Sequence, residues 1–441
     1  MPSPRSDPAP AAPPAEPPSR STAYNALLLA TGTGLGHLLL VAAAPVLTRL
    51  YRPEDLGLLG LFLAYLGIVS VALSLRYDAA IPTAVSPREA ALLTRGALAL
   101  SAPISLFFTG VFLVLIEGSF LGYGILPPAT AALMFPALFF TALFAVLRSW
   151  HVREERFRMI AGASFAQSGA RALGQVVLGA AGMGWPGLLL GDLIGRISGI
   201  WRLFHAASRA LADQGRGSWG VDVAGALRTY RKFPLLSVPS SVLDALAANL
   251  RIPGVAFLYG MEVAGQLALM DRVIAMPLSL VGGSMADAFH GRMASLAREN
   301  PAAARRLFLR TAAGLLAVGV APTLLLVFFG RPLFAFVFGS AWGASGEMAS
   351  WLAPAALAAL VVSPLSRVVF IFQGQEYKLV LDVVHLVALV AVFAACRSPL
   401  ADVSDTLRWI NGVEVGRYAL YFLLLLRIVR RAAPGTAGGR P

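Results

Sequence analysis

Six arginines stand inside otherwise apolar stretches of this chain: Arg171, Arg196, Arg251, Arg272, Arg367 and Arg417. At the centre of a bilayer each costs about 2.5–3.5 kcal/mol on insertion scales, so each needs an acid, water or an anionic ligand beside it. Asp192 precedes Arg196 by four residues and Glu414 precedes Arg417 by three, which places each pair on one helix face. A neutralised pair inside a bundle is the simplest reading of both. Arg171 and Arg367 have no acid at that spacing, and Arg367 is near enough to a span end to snorkel. The most informative pattern is Ser237, Ser241, Asp244, Ala248 and Arg251, in steps of four, three, four and three. It makes one polar stripe along an apolar helix. A weaker stripe joins Ala26, Ala30, Thr33 and His37, and a third joins Gly265, Arg272 and Ser279.

Helix packing through small residues accounts for the Ala, Gly and Ser positions. It does not account for Asp244 with two arginines, which favours a hydrated cavity. That cavity is expected to be net positive and walled by apolar helices. It suits a ligand with an anionic head and a long lipid tail, because arginine binds phosphate oxygens through paired donors. It does not suit a cationic drug. Arg251 and Arg272 are the expected anion-holding residues, with Ser241, Arg171 and Arg196 as further candidates. Asp244 then counters their charge or carries a coupling ion, a proton or sodium. His37 reads either as a hydrogen-bonded interior residue or as a proton carrier. Arg76, with Asp78, reads equally as a residue of the cavity mouth or as a membrane anchor.

These residues require helices that cross a membrane. With 57% hydrophobic and 13% charged residues, the 441-residue chain is far from the composition of a soluble domain. Twelve spans are predicted at about 24–47, 56–75, 96–117, 127–147, 159–181, 185–203, 234–257, 262–286, 311–330, 349–371, 379–396 and 409–426. The +13 balance comes from 34 Arg and two Lys, Lys232 and Lys378, against 23 acids. Alternate loops and the two tails hold 25 of these cations and the opposite loops five, so both termini are expected in the cytoplasm. The same pattern explains the basic charge without nucleic acid.

A repeat supports this layout. Shifted by 208 residues, Pro45, Leu50, Tyr51, Glu54, Gly57, Leu59 and Leu61 fall on Pro253, Leu258, Tyr259, Glu262, Gly265, Leu267 and Leu269. Six spans per half is an even number, so the halves are expected to be parallel repeats about an axis along the membrane normal. The expected division is a disordered Pro-rich cytoplasmic tail (1–22), a first lobe (23–204), a polar inter-lobe loop (205–232), a second lobe (233–430) and a short cytoplasmic tail (431–441). The first apolar run is read as a retained span and not as a signal peptide, since residues 233–253 echo it. Cys396 is the one cysteine, which excludes an internal disulfide and a Cys-cluster metal site. No GxxxxGK[ST], HExxH, GxSxG or DxD motif is present, which counts against an ATPase, a metalloprotease, an α/β hydrolase and a metal-dependent sugar transferase. No cofactor or metal is expected.

LTRLYRPEDLGLLGLF (47–62), LRYDAAIP (75–82), YRKFPLLSVPSSVLDALAANL (230–250), FLYGMEVAGQLALMDRVIAMPLSLVG (257–282) and FGSAWGASGEMASWLAPAALAALVVSPLSRVVFIFQGQ (338–375) are the stretches that carry a resemblance. Over about 24–426 the chain resembles bacterial oligosaccharide flippases of polysaccharide biosynthesis. These belong to the exporter superfamily shared with multidrug antiporters and the peptidoglycan-precursor flippase. The resemblance implies an all-α, MATE-like integral membrane protein of twelve helices in two six-helix lobes, with spans 1, 2, 7 and 8 lining a central cavity. It implies a polyprenyl (undecaprenyl) pyrophosphate-linked oligosaccharide as substrate, moved between leaflets of the bacterial inner membrane by alternating access. The polysaccharide polymerase and chain-length machinery are the implied partners, beside membrane lipid. A proton- or sodium-coupled small-molecule antiporter on the same fold is the alternative. A polymerase or ligase would need a larger periplasmic surface than the expected 331–348 loop offers.

Overall fold

The computed structural model describes residues 20–213, 219–278, 300–372, 375–397 and 401–431, with scattered positions between 282 and 296. Side chains of the first helix are described from Gly34 onward, so Ala26, Ala30 and Thr33 lie outside the described side chains, as does Ser279. Among the described residues there is no strand. Fourteen helices of ten or more residues carry the fold: α1 (Arg20–Leu50), α2 (Pro53–Ser70), α3 (Pro87–Glu117), α4 (Thr130–Arg153), α5 (Phe157–Ala180), α6 (Trp185–Ser198), α7 (Ile200–Asp213), α8 (Trp219–Thr229), α9 (Val238–Asn249), α10 (Arg251–Pro277), α11 (Pro301–Phe338), α12 (Gly343–Leu365), α13 (Gln375–Ala395) and α14 (Val403–Arg431).

The starts of these helices are written locally. Pro53 opens α2 and Pro87 opens α3, where a missing N–H costs nothing. The Asp55 carboxylate accepts the Arg52 backbone N–H at 3.0 Å. Ser86 and Asn300 cap α3 and α11 by accepting the N–H groups of Glu89 (3.2 Å) and Ala303 (3.0 Å). The turn between the expected seventh and eighth spans is made at Gly260 within α10, at φ 85°, ψ −177°. Only glycine reaches that conformation without strain.

Among the described residues six helical stretches are long and apolar enough to span a bilayer by themselves, and the one at Phe233–Ala275 holds two expected spans joined at Gly260. Gly34–Leu50 and Val380–Ala395 are shorter apolar helices. α5, α6 and α14 fall outside both groups. They carry Arg171, Asp192, Arg196, Glu414 and Arg417, and their polarity is the site itself. The expected polar loop at 205–232 is a correction. Its described parts are helical and packed on the first lobe, with α7 following α6 after one residue. α8 lies against α3, joined by Arg88–Asp222 at 3.0 Å and by the Tyr230 hydroxyl donating to Glu89 at 3.1 Å.

The two halves meet at one end of the bundle. A Cβ on Gly57 would collide with the Met261 carbonyl oxygen, and one on Gly265 with that of Pro53. In the 208-residue register Pro53 corresponds to Met261 and Gly57 to Gly265, so each contact is the image of the other. Gly60 faces Ala268, its own repeat mate, one turn on. Such self-complementary contacts mark a local twofold axis between α2 and α10. An inverted repeat would place these segments at opposite ends. The matched tyrosines do matched work. The Tyr51 hydroxyl donates to the Gln175 carbonyl at 2.7 Å, near the α5–α6 turn, and Tyr259 donates to Asp402 at 3.2 Å, in the α13–α14 turn. Trp342 Nε1 donates to the Thr48 carbonyl at 3.0 Å, a further seal between halves at this end.

Candidate functional site

Below that sealed end lies a cavity of about 360 Å³ between α1, α2, α5, α6, α9 and α10. Its walls are mostly leucine and alanine, interrupted by Arg171, Gln175, Asp192, Arg251, Asp271 and Arg272. Asp192 is 1% exposed and is shared by two arginines, Arg171 Nε at 2.9 Å and Arg196 Nε at 2.6 Å. Arg196 also donates to Thr141 Oγ1 at 2.7 Å. Arg272 enters from the other half, donates to the Leu40 carbonyl of α1 at 3.3 Å, and lies within electrostatic reach of Asp192 and Arg171. Three guanidiniums therefore surround one carboxylate.

Arg251 pairs with Asp271 at 2.8 Å and not with Asp244. The i to i+7 stripe placed Asp244 and Arg251 on one face, but two turns of helix separate them by about 10 Å. Asp271 on α10 is the nearer acid. Arg251 lines both this cavity and a second, larger one of about 760 Å³. The larger chamber runs along α9, α10, α12, α13 and α14 to Arg76 at the far end of α2. The Asp244 side chain is 54% exposed there, so water reaches the chamber from the end opposite the seal.

The expected net-positive cavity holds for the inner space only. The chamber presents Asp244, Asp271, Asp382 and Glu414 alongside Arg76, Arg251 and Arg417. Asp244 is engaged by Lys378 Nζ at 2.9 Å, which also holds Asp382 at 2.5 Å. Glu414 does pair with Arg417, at 3.0 Å, and it also meets His385 Nε2 at 3.0 Å. Asp192–Arg196 is the second expected pair, but Arg171 makes it a triad, so it is not neutral.

Ser241 lines the chamber, as the stripe predicts, and so does Arg76. Leu75 and Arg76 both take left-handed backbone angles, φ 49° and 61°, costly for residues with a Cβ. The bend lies beyond the end of α2, next to the residue that lines the chamber wall. Asp78 is bonded by Ser74 Oγ at 2.5 Å. His37 is exposed on α1, within electrostatic reach of Arg171, and lines neither cavity. Arg367 lies just beyond the end of α12.

Sequence reasoning passed over Lys378, Asp382 and His385. Lys378 was assigned to a loop, whereas it lies in the first turn of α13. The signal was present: 378, 382 and 385 follow the same four-and-three spacing as the α9 stripe and one of the two lysines starts it. Among the described residues no cluster of three or more His, Cys, Asp or Glu is arranged to hold a metal ion.

The fold recurs in known transporters. An inward-facing multidrug resistance MATE family transporter of the MOP superfamily superposes with a TM-score of 0.69 at 18% identity, over 95% of this chain and 97% of that one. The lipid II flippase MurJ, in an inward closed conformation, gives 0.70 at 12% identity over 92% and 90%. A MOP superfamily transporter from Pyrococcus furiosus gives 0.59 at 18% over 93% and 96%. No curated protein matches by sequence. At these identities the superpositions establish the fold, and the family rests on the sequence: a model of the polysaccharide biosynthesis protein family matches residues 46–347. The chain, which shares the fold of these transporters, belongs to the polysaccharide biosynthesis protein family.

Proposed function

We propose that this protein moves polyprenyl (undecaprenyl) pyrophosphate-linked oligosaccharide repeat units from the cytoplasmic to the periplasmic leaflet of the bacterial inner membrane. The carrying observation is the inner cavity, where Arg171, Arg251 and Arg272 line the wall with Asp192 and Asp271 and leave an excess of one positive charge, while Arg196, outside the lining, holds Asp192 as well. A diphosphate diester brings two negative charges and oxygens that accept paired N–H donors. The apolar remainder of the wall suits the isoprenoid end. Arg171 belongs to one half and Arg272 to the other, so a diphosphate held between them spans the two lobes. Rocking the lobes about the α2–α10 contact then exposes it to either side. The chamber open beside Asp244 is the cytoplasmic entry in this reading, and the sealed end faces the periplasm. The two lobes are residues 23–204 and 233–430, both tails are cytoplasmic, and the polymerase and chain-length machinery receive the product.

The test uses purified protein in proteoliposomes with a fluorescent short-chain polyprenyl diphosphate oligosaccharide, read by loss of outer-leaflet accessibility. Transfer in the wild type, lost in a doubly substituted Arg171→Ala, Arg272→Ala protein of normal abundance, supports the assignment. Undiminished transfer in the double variant overturns it. The second reading, an ion-coupled small-molecule antiporter, is favoured by the four carboxylates of the larger chamber. Binding of a cationic dye that survives Asp244→Asn would count against it.

A further inference from the structure

Arg171 and Asp192 stand together on the wall of the inner cavity without closing on each other. Arg171 Nε lies 2.9 Å from Asp192 Oδ1, near enough for an ion pair, yet neither atom has a hydrogen-bond partner among the described residues. The second oxygen is held differently. Arg196 Nε donates to Asp192 Oδ2 at 2.6 Å, and Arg196 Nη1 donates to Thr141 Oγ1 at 2.7 Å. Thr141 gives its own hydrogen to the Ala137 carbonyl at 2.6 Å, so its lone pairs are left to accept from Arg196. Gln167 Nε2 donates to the Arg196 backbone carbonyl at 3.0 Å, and a Cβ on Gly195 would strike Cα and Cβ of Arg171. Residues of α4, α5 and α6 thus fix Arg196 and Asp192 against Arg171. Arg171 and Asp192 line the cavity and Arg196 does not.

We propose that Arg196 is a positioning residue of the anion site: by holding Asp192 Oδ2 it keeps the carboxylate from closing a two-pronged pair with Arg171, and so leaves the Arg171 guanidinium open to the phosphate oxygens of a ligand. An arginine and a carboxylate left to themselves favour two parallel N–H···O bonds. Asp192 has one oxygen beside Arg171 and the other on Arg196, so that arrangement is blocked. Without Arg196 the second oxygen would be buried and unbonded, which is costly, and the guanidinium already beside Oδ1 can satisfy it. Turning to do so commits Nε and one terminal nitrogen of Arg171 to Asp192 and withdraws them from the ligand. Arg196 therefore acts through Asp192 and Arg171 and touches no ligand itself. This rests on the anionic-ligand reading above, but one arm of its test needs no ligand.

The probe is farnesyl diphosphate, a short polyprenyl diphosphate, titrated onto the purified protein in nanodiscs. Arg196→Met removes both the donor and the charge, and should weaken binding about 10- to 100-fold. Arg196→Gln removes the charge but keeps an N–H that reaches Asp192 four residues back, and should lose less than about threefold. Equal losses in the two variants overturn the proposal, because they make Arg196 a source of charge alone. The doubly substituted Asp192→Asn, Arg196→Met protein keeps the wild-type net charge and lacks the carboxylate that captures Arg171. It should recover most of what Arg196→Met loses, and a double variant as weak as Arg196→Met overturns the proposal. Should Arg196→Met fail to fold, the other two variants decide, since a loss of more than about tenfold in Arg196→Gln contradicts the positioning role. A crystal structure of Arg196→Met without ligand is the independent arm. Both Asp192 oxygens bonded to Arg171 support the proposal, and an Arg171 that has not turned overturns it. If the crystal structure supports it and farnesyl diphosphate binds none of the proteins, the fault lies with the assigned substrate and not with the positioning.

Discussion

Arg272 and Asp192 show how differently two charges of one cluster are expected to behave. Arg272 donates to the Leu40 backbone carbonyl and reaches the inner cavity from the far lobe. Its loss removes charge-assisted bonds to the ligand, so Arg272→Ala should weaken binding of a diphosphate lipid by about 1.5–3 kcal/mol, about 10- to 150-fold, at unchanged abundance. Lysine there should restore only part, since it keeps the charge without the paired donors. Asp192 is 1% exposed between two guanidiniums. Asp192→Asn strands both, and should cost about 3–5 kcal/mol of stability, read as lower abundance and thermal midpoint in detergent. Arg88–Asp222, whose arginine is 66% exposed, is the control. Breaking it should change stability by less than about 1 kcal/mol.

In the proposed cycle the α2–α10 crossing is the element on which the lobes would rock. Gly57 and Gly265 bring two backbones into contact at the sealed end, and either side chain added there meets a carbonyl oxygen and not a movable group. Gly57→Ala and Gly265→Ala should therefore open that end. The expected reading is faster labelling of a cysteine at Leu56 by an impermeant thiol reagent, with slower labelling of one at Ser241. Unchanged labelling at both sites would remove the crossing from the gating role. Gly260→Ala acts on another quantity: at φ 85° and ψ −177° a Cβ should cost about 1–3 kcal/mol, read as stability rather than accessibility. The repeat was legible because it depends on local chemistry, a matched proline, tyrosine and glutamate and a glycine where backbones touch. The 205–232 connection was misjudged for the opposite reason. Its polarity looked like a loop, yet Ala207, Leu211 and Ala226 are buried against the first lobe.

Taken whole, the molecule is two like-oriented halves joined at one end and parted at the other. Cysteine accessibility or reporter fusions at Gly184 and Ser340 should place both on the periplasmic side, and residues 154–156 on the cytoplasmic side. A cytoplasmic signal from Gly184 would break the parity on which the parallel repeat depends. The sequence by itself determined the all-helical membrane class, the repeat register from Tyr51 to Tyr259, and the arginines that line the inner cavity. Each follows from short-range rules: hydropathy over a span length, spacing along one helix, the cost of a charge in lipid. Spacing along one helix already paired Arg196 with Asp192 and Arg417 with Glu414, and only the tertiary structure decided which acid the other cations meet. Arg251 takes Asp271, Lys378 takes Asp244, and Arg171 and Arg196 share Asp192. Coulomb attraction falls with distance through space, and helix packing brings together residues 20 or 134 positions apart as readily as neighbours on one turn.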